Sequence, residues 1–203
     1  VLDDAERLVP VARGDVYLPL LQGKVLANMF FENSTRTRMS FETAMKRLGG
    51  SVLNFTSIGT SVAKGETLYD TMQMIDGYAD VAAIRHPRQG AAQYSADAVE
   101  IPILNAGDGA GNHPTQTMLD LFTIRQAHGT LEGLNVVLVG DLRYGRTVHS
   151  LSHALVRFGA KLTLVSPSTL KMPVEIVSDL REHGSEIMET DSLEDQIAGA
   201  DVI

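Results

Sequence analysis

The sequence contains no cysteine and no tryptophan, and aromatic residues make up only 5% of its 203 residues. The absence of cysteine excludes disulfides, thiolate metal sites and cysteine nucleophiles. Positive charge is also scarce, because 17 Lys and Arg residues stand against 25 Asp and Glu residues and leave a net charge of −8. A protein of this charge does not hold nucleic acid over its bulk surface, so any bound anion requires a local basic cluster.

Long hydrophobic runs are missing as well. Apolar runs such as residues 81–84 and 136–139 are far shorter than the ~18 residues of a membrane span, and no charged and apolar leader opens the chain. We therefore expect a cytoplasmic protein that does not associate with membranes. The chain opens on Val1 and closes at Ile203 in the pattern of a strand that is just beginning, so we expect it to be part of a longer polypeptide.

The remaining composition, with 44% hydrophobic and 21% charged residues, is typical of a globular enzyme or binding domain. Short apolar runs alternate along the chain with segments of helical spacing. Strands are predicted at residues 25–31, 52–55, 81–84, 101–104, 135–139, 161–165 and 186–188, and helices at residues 39–48, 68–79, 91–96, 114–126, 147–158, 175–183 and 193–198. The alternation predicts an α/β fold of two successive lobes with parallel sheets flanked by helices, residues 1–130 and an incomplete second lobe at 131–203.

Ligands of such sheets bind at the carboxyl ends of the strands, and the first loop there is residues 30–38. Ser34 is the predicted N-cap of the next helix, so backbone N–H groups and the hydroxyls and guanidinium groups of Thr35, Arg36, Thr37 and Arg38 are able to converge on one anion such as phosphate. The alternative is an ordinary helix cap whose two arginines pair with surface carboxylates.

Two further loops carry isolated basic residues. The polar segment 56–66 contains Ser61 and Lys64, and a lysine beside a glycine can move into a neighbouring site, although such a loop is also typical of a solvated turn. Arg85 follows a predicted strand directly and can offer its planar guanidinium to an oxyanion. We interpret His86 as a packed or capping residue rather than a ligand.

The loop at residues 105–116 ends in a helix start. Pro114 falls at the first helical position, which makes His113 the cap and Gln116 the third residue. One interpretation is simply a helix start in which Gln116 reaches back to the cap. The other is chemical, because an imidazole N–H and an amide at the same sheet edge suit a neutral polar group such as a carbamoyl or carboxamide.

Seven of the 17 Lys and Arg residues lie in these loops or in the equivalent loop of the second lobe, which indicates a focused anion site: Arg36, Arg38, Lys64, Arg85, Arg88, Arg143 and Arg146. The second-lobe loop, residues 140–147, superficially matches a phosphate-binding loop. However, Arg146 stands where that motif has lysine, so a nucleotide site is disfavoured. His149 and His153 have the spacing of a metal pair, but no third ligand is indicated and no metal site is predicted.

In order and spacing, five segments resemble the carbamoyltransferase family: residues 31–38, 64–68, 85–87, 107–109 and 113–117. Within that family, residues 140–150 look like the aspartate branch, whose enzymes make carbamoyl-aspartate in pyrimidine synthesis. The resemblance implies that Ser34, Thr35, Arg36 and Thr37 hold the phosphate of carbamoyl phosphate. It also implies that Arg85 bridges the phosphate and the carbonyl oxygen.

The same resemblance assigns the remaining roles. Thr37, Arg85 and His113 would polarise the carbonyl, and Gln116 would bind the carbamoyl amino group. Arg146 would bind a carboxylate of aspartate, and Glu32 would orient arginine side chains. Ser61 and Lys64 would enter the site of an adjacent subunit, which implies a homotrimer. No cofactor is implied.

Three alternatives stay open at this point. The acceptor amine is aspartate, or it is ornithine or another amine, or the chain is a non-catalytic carbamoyltransferase-like subunit that binds anions and assembles with partners. The family's second lobe continues beyond Ile203 with a further aspartate contact, so the resemblance implies little turnover by residues 1–203 alone. Whether regulatory chains attach is also left open.

Overall fold

A computed structural model of the protein describes residues 1–56, 60–109, 111–184 and 186–203. Its contacts divide the chain into two compact units, Val1–Gly111 and Asn112–Ile203. The division falls before the helix that starts at Pro114, whereas the boundary predicted from sequence, at residue 130, falls after it. The assignment of one substrate to each predicted lobe stays a prediction.

The first unit contains a parallel sheet in the order β2-β1-β3-β4. Its strands are β1 (Val25–Phe30), β2 (Ser51–Thr56), β3 (Val81–His86) and β4 (Ile103–Asp108). Its helices are α1 (Leu2–Arg7), α2 (Val9–Arg13), α3 (Thr35–Arg47), α4 (Leu68–Asp76) and α5 (Ala91–Ala98), with a short 3₁₀ helix at Ser61–Lys64. Residues 57–59 of the predicted polar loop lie outside the described residues.

Both faces of this sheet are covered, which explains why β1 and β3 are buried along most of their length. Alternate residues of a strand point to opposite faces. Ala27 and Met29 of β1 pack with Met72 of α4, while Leu26 packs with Met45 of α3 on the other face. The sheet therefore fixes α3 directly against the strand that precedes it.

The second unit contains a parallel sheet in the order β5-β6-β7, formed by β5 (Asn135–Val139), β6 (Lys161–Val165) and β7 (Ile187–Thr190). Its helices are α6 (Pro114–His128), α7 (Arg146–Val156), α8 (Val174–Glu182) and α9 (Glu194–Ile197), with a 3₁₀ turn at Ser168–Leu170. Val202 forms a parallel bridge with Val136 of β5. This single bridge is all that the structure shows of the strand predicted to begin at the last residues, so that strand stays a prediction.

The predicted α/β class and the alternation of strands and helices are confirmed, with two corrections. The predictions contain nothing for residues 1–24, where the structure has α1 and α2. The strand predicted at residues 101–104 in fact runs from Ile103 to Asp108. The first residues of the loop predicted at 105–116 thus belong to β4, which contains a bulge where the register between β3 and β4 shifts between Ile84 and His86.

Candidate functional site

The carboxyl ends of four parallel strands lie at one edge of the first unit's sheet. Helix α3 starts four residues after β1, and the 3₁₀ helix Ser61–Lys64 follows β2. Arg85 lies near the end of β3, and β4 ends at Asp108. The topology therefore brings the predicted anion-binding residues of the first unit to one edge of the sheet. The loop that leads into α3 follows β1, and Arg85 lies on the neighbouring strand β3.

Helix α3 begins without a side-chain cap within the part of the chain that the structure describes. Ser34 has the extended backbone of an N-cap residue (φ −157°, ψ 111°), as predicted, but its hydroxyl makes no capping hydrogen bond. The first turn contains no acidic residue, and Thr35 and Arg36 are exposed while Thr37 is half-buried. Backbone N–H groups, hydroxyls and a guanidinium at one helix start form a favourable environment for an anion.

A buried asparagine that sequence analysis missed supports this helix start. Asn28 of β1 is fully buried, and its Nδ2 donates to the carbonyl oxygen of Arg38 at 3.1 Å and to Oδ1 of Asn54 at 3.1 Å. Asn54 in turn donates to Glu42 at 3.1 Å. Because buried amides are costly unless hydrogen-bonded, this network ties the first turns of α3 to β1 and β2.

Arg85 is the buried cation of the first unit's site. It is 9% exposed, and its Nη2 forms an ion pair with Oε1 of Glu32 at 2.9 Å. Its Nη1 donates to the carbonyl oxygen of Ala106 at 3.4 Å, within the bulged part of β4. The bulge thus turns a carbonyl group towards the guanidinium, and Glu32 orients it from the loop after β1, as the resemblance implies.

His86 is a packing residue, which confirms the prediction. Its ring lies 5.1 Å from the ring of Phe31, and Nδ1 accepts a hydrogen bond from the backbone N–H of Arg88 at 3.0 Å. Burial, followed by the nearby Arg88 charge, lowers the pKa of His86 below its ordinary value of 6.5. A neutral ring of this kind stiffens the exit from β3 beside Arg85.

Ser61 and Lys64 lie on the surface of the first unit. They are the first and last residues of the 3₁₀ helix Ser61–Lys64, and both are exposed. Gly65 ends this helix in the left-handed conformation with φ 94°, which a residue with a side chain adopts at a cost. The structure therefore places both residues on the surface of this unit.

In the second unit, His113 caps helix α6. Its Nδ1 accepts the backbone N–H of Gln116 at 3.4 Å, Pro114 occupies the first helical position, and the His113 side chain is 6% exposed. A neutral imidazole whose Nδ1 accepts a hydrogen bond carries its proton on Nε2. The cap therefore corresponds to the tautomer of His113 that carries its proton on Nε2.

Gln116 does not reach back to the cap, in contrast to one of the two interpretations above. Its side-chain Nε2 instead donates to Oδ1 of Asp120, one turn further along α6, at 2.9 Å. Burial raises the pKa of Asp120 above its ordinary value of 3.8, and the hydrogen bond from Gln116 acts in the opposite direction. The sequence contains this i, i+4 spacing, so the pair was a signal that could have been found.

Ser150 joins the start of α6 to the start of α7. Its hydroxyl oxygen accepts from the backbone N–H of His113 at 3.1 Å, and the hydroxyl donates to the carbonyl oxygen of Arg146 at 3.1 Å. The structure thus brings together His113 and Arg146, two residues of the second unit that the sequence placed in separate loops.

The loop before Arg146 is held rigidly by its own polar groups. Oδ1 of Asp141 accepts the backbone N–H groups of Arg143 and Tyr144 at 3.1 and 3.0 Å. The buried His149 lies 2.8 Å from the carbonyl oxygen of Leu142 through its Nε2. A Cβ at Gly145 would lie 2.5 Å from the carbonyl oxygen of Asp141, so this position requires glycine.

The site residues therefore form two groups, one in each unit.

In the residues that the structure describes, no cluster of three His, Asp or Glu side chains could hold a metal ion. His149 bonds to the backbone, and His153 pairs with Asp179 at 3.1 Å. None of the described helices is both long and apolar enough to cross a bilayer.

The comparison with protein families gives two matches that together cover nearly the whole chain. The model described as aspartate/ornithine carbamoyltransferase, carbamoyl-P binding domain, matches residues 1–126. The model described as aspartate/ornithine carbamoyltransferase, Asp/Orn binding domain, matches residues 132–203.

Curated relatives and solved structures agree with these matches. The chain is similar to aspartate carbamoyltransferase catalytic subunits of Methanothermobacter thermautotrophicus (53% identity) and Methanococcoides burtonii (54% identity), and it is covered completely by both. It spans 65% and 66% of their respective lengths.

Among solved structures, the catalytic subunit of M. jannaschii aspartate transcarbamoylase matches with a TM-score of 0.92 and 48% identity, over 99% of this chain and 67% of that one. Aspartate transcarbamoylase from Trypanosoma cruzi, in complex with carbamoyl phosphate and aspartate, matches with a TM-score of 0.93 and 43% identity, over 99% of this chain and 69% of that one.

Proposed function

Because the chain belongs to the aspartate/ornithine carbamoyltransferase family, we propose that the whole protein transfers the carbamoyl group of carbamoyl phosphate to the amino group of L-aspartate. The products are N-carbamoyl-L-aspartate and phosphate, in a step of pyrimidine synthesis. One observation carries the proposal. The uncapped start of α3, which follows β1, and the buried Arg85 of the neighbouring strand β3 lie at the same edge of the sheet.

The first unit provides the phosphate-binding groups. Ser34, Thr35, Arg36 and Thr37 hold the phosphate at the start of α3, where the backbone N–H groups and the helix dipole favour a dianion. Arg85 bridges the phosphate and the carbonyl oxygen, since a guanidinium offers donors to two oxygens at once. Glu32, already paired with Arg85 at 2.9 Å, keeps it oriented.

The second unit provides the groups for the carbamoyl moiety and the acceptor. The Nε2–H of His113 donates to the carbonyl oxygen together with Thr37 and Arg85, and Gln116 accepts from the carbamoyl amino group. Arg146, at the start of α7, binds a carboxylate of aspartate. The Ser150 hydrogen bonds that link the starts of α6 and α7 support a common role for His113 and Arg146.

The chemistry then needs only orientation and electrostatic stabilisation. The neutral amine of aspartate attacks the carbonyl carbon, a C–N bond forms, and the negative charge of the tetrahedral intermediate falls on the oxygen held by these donors. The bond between that carbon and the phosphate oxygen breaks, and the departing phosphate takes the proton of the amine. No side chain acts as a nucleophile, and no cofactor is required.

The assembly proposed for the whole protein is a cytoplasmic homotrimer. Ser61 and Lys64 enter the site of an adjacent subunit, and their exposure at the end of the sheet supports this role. The predicted lobe of residues 1–130 binds carbamoyl phosphate. The predicted lobe of residues 131–203 forms part of the aspartate-binding site. The relatives are named catalytic subunits, which favours association with regulatory chains.

The acceptor is tested by comparing aspartate and ornithine with the full-length protein. We expect carbamoyl transfer from carbamoyl phosphate to aspartate and none to ornithine, measured as product formation. A preference for ornithine would show that the acceptor is ornithine and not aspartate. The absence of transfer to any amine would favour the non-catalytic alternative.

The phosphate site is tested by Arg36→Ala, with Lys46→Ala as a matched control. Lys46 lies in the last turn of the same helix, and its side chain is 62% exposed and pairs with Glu42. We expect Arg36→Ala to weaken binding of a phosphonate analogue at least about tenfold, as the loss of a charge-assisted hydrogen bond would, and Lys46→Ala to leave it unchanged. Unchanged affinity in Arg36→Ala would contradict the proposed site.

A further inference from the structure

A hydrogen bond within α6 controls the orientation of the Gln116 side chain. Gln116 is the third residue of the helix and Asp120 lies one turn further on, with 2.9 Å between Nε2 of Gln116 and Oδ1 of Asp120. Both residues are half-buried. The contact lies next to the His113 cap, at the end of α6 that carries the proposed carbamoyl-binding groups.

The chemistry of the pair allows only one orientation of the amide. An ionised carboxylate accepts hydrogen bonds and donates none, whereas an amide has a donating NH₂ end and an accepting oxygen end. The NH₂ end of Gln116 must therefore face Asp120. This leaves Oε1 as the end that meets another group, and Oε1 can only accept.

The surroundings of Asp120 strengthen this constraint. Burial raises the pKa of the Asp120 carboxyl, and the hydrogen bond from Gln116 counteracts that effect. The amide N–H is therefore what stabilises the ionised carboxylate in a partly desolvated position. A rotated Gln116, with its oxygen facing the carboxylate, would leave Asp120 without that donor.

We propose that Asp120 is a positioning residue which holds the oxygen of Gln116 towards the substrate and so makes the site select an acyl phosphate that bears N–H groups. The inference rests on the proposed function. A carbamoyl group offers two N–H donors to Oε1 of Gln116, whereas an acetyl group of nearly the same shape offers a methyl group. The pair therefore distinguishes carbamoyl phosphate from acetyl phosphate.

The chain contains a matched control for this pair. In α5, Nε2 of Gln93 donates to Oδ1 of Asp97 at 2.8 Å, which is the same chemistry at the same i, i+4 spacing. Both of these residues are exposed, and α5 lies in the first unit. A pair that merely stabilises a helix would behave alike in α5 and α6.

The experiment measures steady-state transfer to aspartate from carbamoyl phosphate and from acetyl phosphate, with the full-length protein. Asp120→Asn has the same shape, but its amide group can meet either end of Gln116, so Gln116 is free to rotate. We expect the KM for carbamoyl phosphate to rise about tenfold with little change in kcat, as the loss of one hydrogen bond would. The ratio of kcat/KM for the two donors should fall by the same factor.

Two further variants separate positioning from general structure. Asp97→Asn should leave kcat/KM unchanged with both donors. Asp120→Glu, which keeps a carboxylate acceptor, should retain most of the preference for carbamoyl phosphate. An unchanged donor ratio in a folded Asp120→Asn variant would overturn the inference. An equal loss of kcat/KM with both donors would also overturn it. So would a result in which Asp120→Glu and Asp120→Asn lose the preference for carbamoyl phosphate to the same extent.

The two levels of the argument fail in different ways. A wild-type protein that transfers no carbamoyl group would overturn the proposed function and this inference with it. A wild-type protein that transfers carbamoyl normally, together with an Asp120→Asn variant whose donor preference is unchanged, would overturn the inference alone. Thermal unfolding of each variant shows whether it is folded.

Discussion

Helices α3 and α6 begin in opposite ways. The N-cap residue of α3, Ser34, makes no capping hydrogen bond to the described residues, and its first turn carries hydroxyls and a guanidinium but no acid. Helix α6 caps itself, because His113 accepts the N–H of Gln116 and Pro114 has no N–H to satisfy. One helix start keeps its backbone donors for a ligand, whereas the other uses its own side chain.

The difference teaches how two helix starts of one α/β chain can suit ligand groups of different charge. Uncapped N–H groups with the positive end of the helix dipole suit a charged group. A capped start has one of its backbone donors occupied by a side chain, here by Nδ1 of His113, while Gln116 is oriented by its hydrogen bond to Asp120. This contrast supports the proposal that the start of α3 holds a phosphate group and that the start of α6 holds a neutral carbamoyl group.

The largest effect is expected from Arg85→Ala, which removes the buried cation beside α3. We expect turnover by the full-length protein to fall by about 10²–10³-fold, the usual cost of losing one donor to a developing oxyanion. Lys46→Ala is the control, because Lys46 is an exposed cation of the same unit that pairs with Glu42. Equal effects of the two substitutions would break the assignment of the anion to this strand end.

The next effect separates the two tasks of His113. His113→Ala removes both the cap and the Nε2–H donor, so we expect turnover to fall by about 10²-fold and stability to fall by about 1 kcal/mol. His113→Asn restores a good N-cap side chain but not the imidazole donor. It should recover stability in urea unfolding without recovering turnover, and a variant that recovers both would show that His113 serves only as a cap.

A smaller effect is expected when Ser34 is compared with Thr67, a hydroxyl residue that does form a capping hydrogen bond. Thr67 caps α4, since its Oγ1 accepts the N–H of Asp70 at 3.2 Å. Thr67→Ala should cost about 0.5–2 kcal/mol of stability, whereas Ser34→Ala should leave stability nearly unchanged and weaken binding of a phosphonate analogue. Measured unfolding and binding curves would contradict the comparison if Ser34→Ala destabilised the protein as much as Thr67→Ala.

The smallest effects concern pH, and two carboxyl groups, those of Asp80 and Asp120, are expected to respond with opposite signs. Hydrogen bonds from Lys24 and from the backbone N–H of Val25 lower the pKa of Asp80 below 3.8. Its contribution to stability is therefore present above the unfolded pKa and is lost as the pH falls through the folded pKa. Asp80→Asn should lower stability at neutral pH and flatten the acid limb of the unfolding curve.

Asp120 should behave in the reverse sense. Its pKa is raised by burial, so its relative contribution to stability is present at low pH and is lost as the pH rises through the folded pKa. Asp120→Asn should therefore raise stability at neutral pH, measured by urea unfolding. A loss of stability instead would mean that the hydrogen bond from Gln116 outweighs burial.

Local patterns predicted much of this molecule. The apolar runs of β1 and β3, the glycines after α3 and the proline at the start of α6 act within a few residues, and the structure confirms the elements that they predict. Ser34 was also placed correctly at the N-cap position. Residue types and spacing were sufficient because each of these features depends on neighbouring residues only.

Other features depend on partners that are distant in sequence. Glu32 and Arg85 are 53 residues apart, and Asn28 and Asn54 are 26 apart. The bulge opposite Arg85 requires knowledge of the register between β3 and β4. Helices α1 and α2 were not predicted, and α1 has no buried residue that would tie it to the sheet.

The ion pair between Glu32 and Arg85 has a consequence for selectivity in salt. The carboxylate, 2.9 Å from the guanidinium, is a built-in rival for every incoming anion. An anion that approaches Arg85 competes with this carboxylate, and the coulombic gain at a guanidinium grows with the charge of the anion. We therefore expect chloride to compete with a phosphonate analogue less strongly than a dianion such as sulfate does, which a titration of analogue binding against each salt would measure.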